Sequence, residues 1–248
     1  METSQSKAFA VIMGATGGIG SQIARQLSSQ GWDLLLVARN EDRLQSLANE
    51  LGECDYMAAD LTQPNEVTRV FEALEKISKV EHVALAHCIG SIVLKPAHLI
   101  SDQVWHECLN LNLNSAFYVL REFTKNRRQG SSSLLFFSSV AASVGLKNHE
   151  AIAAAKAGLI GLCRSAAATY ASKNIRVNVI SPGLVETPLS QFLLEKEASR
   201  KMSEQMHPMG RVGVPKDIAP LAAWLMSDES QWTTGQIFAV DGGLSTLR

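Results

Sequence analysis

Short apolar runs alternate with amphipathic stretches along almost the whole chain. The runs Ala8–Gly14, Asp33–Ala38, Asp55–Ala59, Val83–His87, Ser133–Phe137, Arg176–Ile180 and Gln236–Val240 mostly lack clean in/out alternation. They therefore read as strands covered on both faces. Between them, apolar residues recur at helical spacing. Ile23, Ala24 and Leu27 precede a stop at Gln30–Gly31; Leu44, Leu47, Ala48 and Leu51 precede Gly52. Pro64 suits the first turn of a helix carrying Val67, Val70, Phe71 and Leu74. Ser101 reads as the N-cap of a long helix running through Trp105, Leu109, Leu113 and Phe117 towards Arg121. His149–Ala171 predicts another long helix, rich in Ala and Gly, and Pro188–Met206 and Pro215–Ser227 complete the set.

Strand and helix in unbroken alternation predict an α/β fold with a parallel sheet, right-handed crossovers and helices on both faces. With 248 residues and no internal repeat or linker, residues 1–248 read as a single domain. Hydrophobic residues make up 46% and charged residues 19%, which excludes a disordered chain. The net charge of -1, with no long block of one sign, argues against nucleic acid or an anionic membrane as partner. Cys54, Cys88, Cys108 and Cys163 are scattered, which fits reduced thiols in a cytoplasmic protein and offers no metal-binding spacing. Met1–Lys7 is polar and lacks the apolar core of an export signal, and Ala151–Cys163, interrupted by Lys156, is too short to span a bilayer.

The chemistry starts at Met13-Gly14-Ala15-Thr16-Gly17-Gly18-Ile19-Gly20, between the first strand and the first helix. Glycines allow a sharp turn and close approach, and a helix N-terminus offers free N–H groups and partial positive charge. A strand, a glycine turn and a helix in that order make a phosphate cradle.

The glycine spacing Gly14, Gly18, Gly20 resembles the short-chain dehydrogenase/reductase family. So do Arg176-Val177-Asn178-Val179-Ile180-Ser181-Pro182-Gly183 with Thr187-Pro188, Gly210-Arg211-Val212-Gly213 with Pro215 and Asp217, Thr234-Gly235-Gln236, and Val240-Asp241-Gly242-Gly243. The resemblance implies a Rossmann-type, doubly wound sheet of about seven parallel strands. It also implies a small-molecule substrate and a homo-oligomer, tetramer or dimer, built through the long fourth and fifth helices. It puts cofactor contacts at Gly14, Thr16, Gly17, Gly18, Ile19, Gly20, Arg39, Asp60, Leu61, Gly90, Lys156, Pro182, Gly183, Val185 and Thr187. Ala38 stands where an NAD-selective member carries Asp, and Arg39 follows. A guanidinium pairs with a 2′-phosphate, so NADP(H) is expected over NAD(H).

Family catalysis uses a tyrosine as proton donor, a lysine one helical turn later, a serine on the substrate oxygen and an asparagine holding a water. Ser139, Lys156 and Asn112 match three of these positions. The tyrosine position is Ile152, which has nothing to ionise. His149, seven residues before Lys156 and so at nearly the same helical azimuth, is a substitute acid or an ordinary histidine at a helix start. Where the family reads Asn-Asn-Ala-Gly, this chain reads His87-Cys88-Ile89-Gly90. Two readings follow. One is an NADP(H)-dependent oxidoreductase on a carbonyl/alcohol pair, or on an activated C=C or C=N bond. The other is a non-catalytic NADP(H)-binding sensor or scaffold. Leu189–Met209 reads as a flap over the site or as an ordinary surface helix.

Overall fold

The structure, a computed structural model, describes residues 8–52, 54–77, 82–126 and 130–247; the Met1–Lys7 reading lies outside them. Seven strands form one sheet: β1 Phe9–Met13, β2 Asp33–Ala38, β3 Asp55–Ala58, β4 His82–His87, β5 Ser131–Phe137, β6 Ile175–Pro182 and β7 Ile237–Val240. Their order is β3-β2-β1-β4-β5-β6-β7 and every neighbouring pair is parallel. The chain reverses its direction of growth between β1 and β4, which opens a crevice at the strand ends.

Alternation along β1 divides the core. Phe9, Val11 and Met13 face a layer built on α3 Pro64–Ile77, α5 Ser115–Asn126 and α6 Glu150–Tyr170. Ala10 and Ile12 face the opposite layer, on α1 Gly18–Ser29, α2 Glu41–Glu50 and α9 Pro215–Met226. The all-buried strands seen as unalternating runs are thus sandwiched between two helical layers. A third, small apolar cluster joins Cys108, Ala151, Ile152 and Ala155 at the edge of the site.

Several boundaries differ from the sequence reading for identifiable reasons. β5 begins at Ser131 rather than Ser133, because the buried serines are paid for in hydrogen bonds: Ser133 Oγ donates to Leu225 O at 2.6 Å. β6 runs to Pro182, and its Arg176 is buried against the C-terminal end of α9, donating to Leu225 O, Ser230 Oγ and Ser227 O. The helix expected from Ser101 is capped there, as Val104 N donates to Ser101 Oγ, but it is not uniform. α4 Asp102–Leu109 passes through a π-helical turn, Asn110–Asn114, before α5. The helix expected over Pro188–Met206 is two helices, α7 Gln191–Leu194 and α8 Glu197–Met206. Ser190 Oγ donates to Val185 O and accepts from Thr187 N, holding the preceding residues in a turn, and Lys196 is extended.

α6 corrects the membrane argument. At 21 residues it is long and apolar enough to cross a bilayer, unlike the stretch Ala151–Cys163 considered alone. It lies instead across the sheet, with Ala155, Leu159, Cys163, Ala166 and Ala167 buried.

Candidate functional site

The glycine turn connects β1 to α1 at the crevice. Gly14 has φ +79°, and a Cβ there would stand 2.8 Å from Cys88 O, so the turn and the end of β4 touch backbone to backbone. Gly17 caps α1 without any side-chain hydrogen bond, and the N–H groups of Gly18, Ile19 and Gly20 have no partner among the described residues. That is a cradle suited to a pyrophosphate. Thr187 closes it from the far side: a Cβ on Gly18 would stand 2.6 Å from its Cγ2.

Arg39 follows the end of β2, is exposed, and makes no hydrogen bond or ion pair among the described residues. The sequence reading missed its companion. Asn40 Oδ1 accepts from Arg43 N at 2.8 Å and caps α2, and this first turn brings Arg43 back to donate to Thr16 O at 2.9 Å. The Asn40-x-x-Arg43 spacing was the available signal. Asp60 ends the segment after β3 by accepting from Thr62 N and Thr62 Oγ1, and its Oδ2 stays unbonded; Leu61 is buried.

A cavity of about 580 Å³ opens beside the cradle. Ser139, Lys156, His149 and Ile152 all line it, together with Ile19, Gly90, Pro182, Gly183, Val185 and Thr187. Ser139 Oγ accepts from Ala141 N at 3.2 Å, which leaves its hydroxyl proton available. Lys156 is 6% exposed and donates from Nζ to Phe137 O at 2.8 Å. Among the described residues no carboxylate lines the cavity. Burial therefore pushes the Lys156 pKa down to about 8. The nearby thiols of Cys88, Cys108 and Cys163 are themselves held up by burial, so they stay neutral where Lys156 titrates and supply no countercharge.

Asn112 stands apart from the other expected catalytic residues. It lies in the π turn, is wholly buried and does not line the cavity. Its Oδ1 accepts from Ser91 N, and its Nδ2 donates to Ser91 Oγ and Cys108 O. It sits behind Gly90: a Cβ there would be 3.1 Å from Asn112 Oδ1 and 3.3 Å from Lys156 Nζ. His149 is the N-cap of α6 rather than a residue within it, so the azimuth argument fails, yet the loop still brings its ring to the cavity. Its Nδ1 donates to Lys147 O at 2.7 Å. Ile152 packs into the third apolar cluster beside Cys108 and is 5% exposed.

Two further histidines matter at the site: His207, which drew no functional reading from the sequence, and His87, which entered only through the His87-Cys88-Ile89-Gly90 departure. His87 ends β4; Ser115 Oγ donates to Leu111 O, so His87 Nε2 donates to Ser115 Oγ and Nδ1 is a buried acceptor without a partner. Burial, with Lys156 nearby, pushes its pKa down to about 3, so the ring is neutral. His207 ends the α8 segment. Its Nδ1 donates to Ser203 O and its Nε2 accepts from Leu184 N, so it ties that helix to the loop after β6 and has no proton left to give.

The buried lysine has a consequence for stability. Folded Lys156 loses its proton near pH 8, whereas an ordinary lysine holds it to 10.5. Between those values the unfolded chain binds more protons, so stability rises with pH, and the full penalty applies below about pH 8. Urea unfolding of the native chain and of Lys156→Met should therefore show a stability gap that moves in favour of the native chain as pH climbs through that window. A gap independent of pH would mean the amine is not desolvated.

The family model described as Enoyl-(Acyl carrier protein) reductase matches residues 14–245. A cyclohexanol dehydrogenase from Acinetobacter sp. (strain SE19) is 30% identical over 244 residues, covering 96% of this chain and 94% of that protein. A 3-oxoacyl-[acyl-carrier-protein] reductase from Buchnera aphidicola is 32% identical over 246 residues, covering 96% and 98%. Among solved structures, an actinorhodin polyketide ketoreductase with NADPH superposes with a TM-score of 0.89 at 25% identity, covering 98% of this chain and 99% of that one. With the model matched across the site from the cradle to the turn after β7, and relatives of this similarity along almost their full length, the chain belongs to the short-chain dehydrogenase/reductase family of oxidoreductases.

Proposed function

We propose that the protein binds NADP(H) in preference to NAD(H) and uses it to interconvert a carbonyl and an alcohol without a tyrosine. One observation carries the reading: Lys156 is buried at the cavity surface without a carboxylate partner, with Ser139 on the same cavity and Asn112 behind it. The free N–H groups of α1, and the open face of Gly90 beside Lys156, fit a dinucleotide lying from the glycine turn into the cavity. Arg39 and Arg43 at the end of β2 suit a 2′-phosphate there, and no acidic side chain takes the place where a ribose hydroxyl would be read. When bound, NADP(H) supplies or accepts the hydride.

The residues present do the rest. Ser139 offers its free hydroxyl proton to the substrate oxygen. Lys156, with a pKa of about 8, is charged at neutral pH yet gives up a proton readily; it serves the alkoxide through water and holds the ribose. His149 keeps Nε2 for the cavity and can donate from it when the ring carries both protons, which makes it the second candidate donor; His207 has both ring nitrogens engaged, by Ser203 O and Leu184 N. Asn112 acts by position, fixing Ser91 and with it the loop beside Gly90. An activated C=C or C=N substrate would ease the demand for an acid. The exposed small residues Ala154, Ala157 and Gly161 along α6 support a homo-oligomer packed through that helix.

Ile152 favours the second reading, a protein that binds NADP(H) without turnover. The test is NADPH oxidation over ketones, aldehydes, quinones, enones and imines by the native chain, Ile152→Tyr and His149→Phe. The native chain should turn over at least one class. Ile152→Tyr should raise ketone turnover by about 10²–10⁴-fold, the worth of a positioned acid, while losing about 1–3 kcal/mol of stability because the phenol overfills the cluster around Cys108. Loss of turnover in His149→Phe with NADPH affinity intact would assign the acid to His149. Activity in Ile152→Tyr alone would establish the binding-only reading.

A further inference from the structure

The substrate cavity does not end at the catalytic residues. A second cavity of about 590 Å³ adjoins it, and the two share Leu146, Met206 and Leu244 as lining residues. Its remaining wall is Val144, Gly145, Pro208 and Leu247, with Gln205 as the one polar side chain. Neither cavity is lined by an Asp or Glu among the described residues. With no carboxylate and mostly aliphatic side chains on its wall, the second space suits an uncharged chain better than an ionic group.

The rim has the same character. Leu189, Phe192, Met202 and Met206 line the first cavity and are 46–66% exposed, a cluster of large apolar side chains left open to solvent. Such a patch marks a binding surface, and unbranched methionines re-pack around ligands of different shape. Part of the first cavity, along Ile19, Gly90 and Pro182, is the ground proposed for the nicotinamide end of the cofactor. What is left suits a small carbonyl head, and the adjoining space lies beyond Leu146.

We infer that the protein takes a carbonyl compound with an elongated, uncharged apolar body, whose head meets Ser139 and whose tail passes between Leu146, Met206 and Leu244 into the second cavity. The carbonyl head rests on the oxidoreductase reading above; the tail subsite rests only on the two neighbouring cavities and the residues they share.

The test is calorimetric binding of methyl ketones, from butanone to dodecanone, to the full chain with saturating NADP⁺. Affinity should climb by about three- to fourfold per methylene beyond the length that fills the first cavity. Met206→Trp and, independently, Leu244→Trp should plug the passage and flatten the climb for the longer ketones, while Met206→Leu should preserve it. An affinity that levels off at short chains in the native protein would overturn the inference, whether the second cavity is closed or covered by another copy of the chain. A plugged variant that keeps the full climb would overturn it as well. Length-dependent binding with no turnover of any ketone would leave the tail subsite standing and remove the redox reading. Turnover of short ketones with flat binding would do the reverse.

Discussion

Lys156→Ala is expected to lower NADPH affinity by about ten- to a hundredfold and to cut carbonyl turnover by about 10²–10⁴-fold. The amine sits where α6 meets the ends of β4 and β5, and its hydrogen bond to Phe137 O holds it between the strand end and Gly90. Removing it takes away a charged donor to the ribose and the group best placed to move a proton. Ile152, one turn earlier, offers no compensation. Lys156→Arg separates the two roles. A guanidinium keeps the charge but does not give up a proton near neutrality, so affinity should return in part and turnover should not. Titration by NADPH fluorescence measures the first quantity and a steady-state assay the second. Affinity unchanged in Lys156→Ala would remove the residue from the nucleotide site.

Arg39→Asp should weaken NADPH binding by about a hundredfold and leave NADH binding level or improved. The substitution exchanges a charge-assisted pair with the 2′-phosphate for repulsion, whereas NADH, with a free ribose hydroxyl, has no phosphate to lose a partner or to be repelled. Arg39 is exposed and has no hydrogen bond or ion pair among the described residues, so stability should hardly move. The discrimination should shrink at high salt because the site is open to solvent. Arg43 stays anchored on Thr16 O in the variant and keeps one cation near the turn, which limits the loss. Equal weakening of both nucleotides would sink the assignment of Arg39 to the phosphate.

The seven strands could be read from the sequence because a sheet covered on both faces leaves runs such as Phe9–Met13 with no polar interruption. The same rule misplaced the start of β5. Ser131–Ser133 looks like a loop until α9 is packed against it and its carbonyls accept from Ser133 and Arg176. A polar strand end is legible only with its distant partner in place. The Asn110–Asn114 π turn was invisible for a related reason, since the helical spacing of Trp105, Leu109 and Leu113 continues through it. At the site, the motif positions brought Ser139, Lys156 and Ile152 to one cavity. They did not reveal that the Asn112 side chain is engaged by Ser91 and Cys108, or that His149 caps α6 instead of riding on it. They gave no hint of His207, because its role is to bridge Ser203 and Leu184 and neither partner carries a recognisable pattern.

The strand order has a consequence for how the protein comes into being. β1, made first, lies inside the sheet, third of its seven strands, and β6 and β7, made last, close its far edge. The cavity draws on both: Ile19 follows β1, whereas Pro182, Gly183 and Leu244 come with the final strands. A growing chain on the ribosome thus carries the glycine turn and Arg39 long before it has a wall opposite them. On the proposed reading, nucleotide capture is therefore a late event, coupled to completion of the sheet. The bound nucleotide then stabilises only the finished molecule, adding about 2.7 kcal/mol when present at a hundred times its dissociation constant.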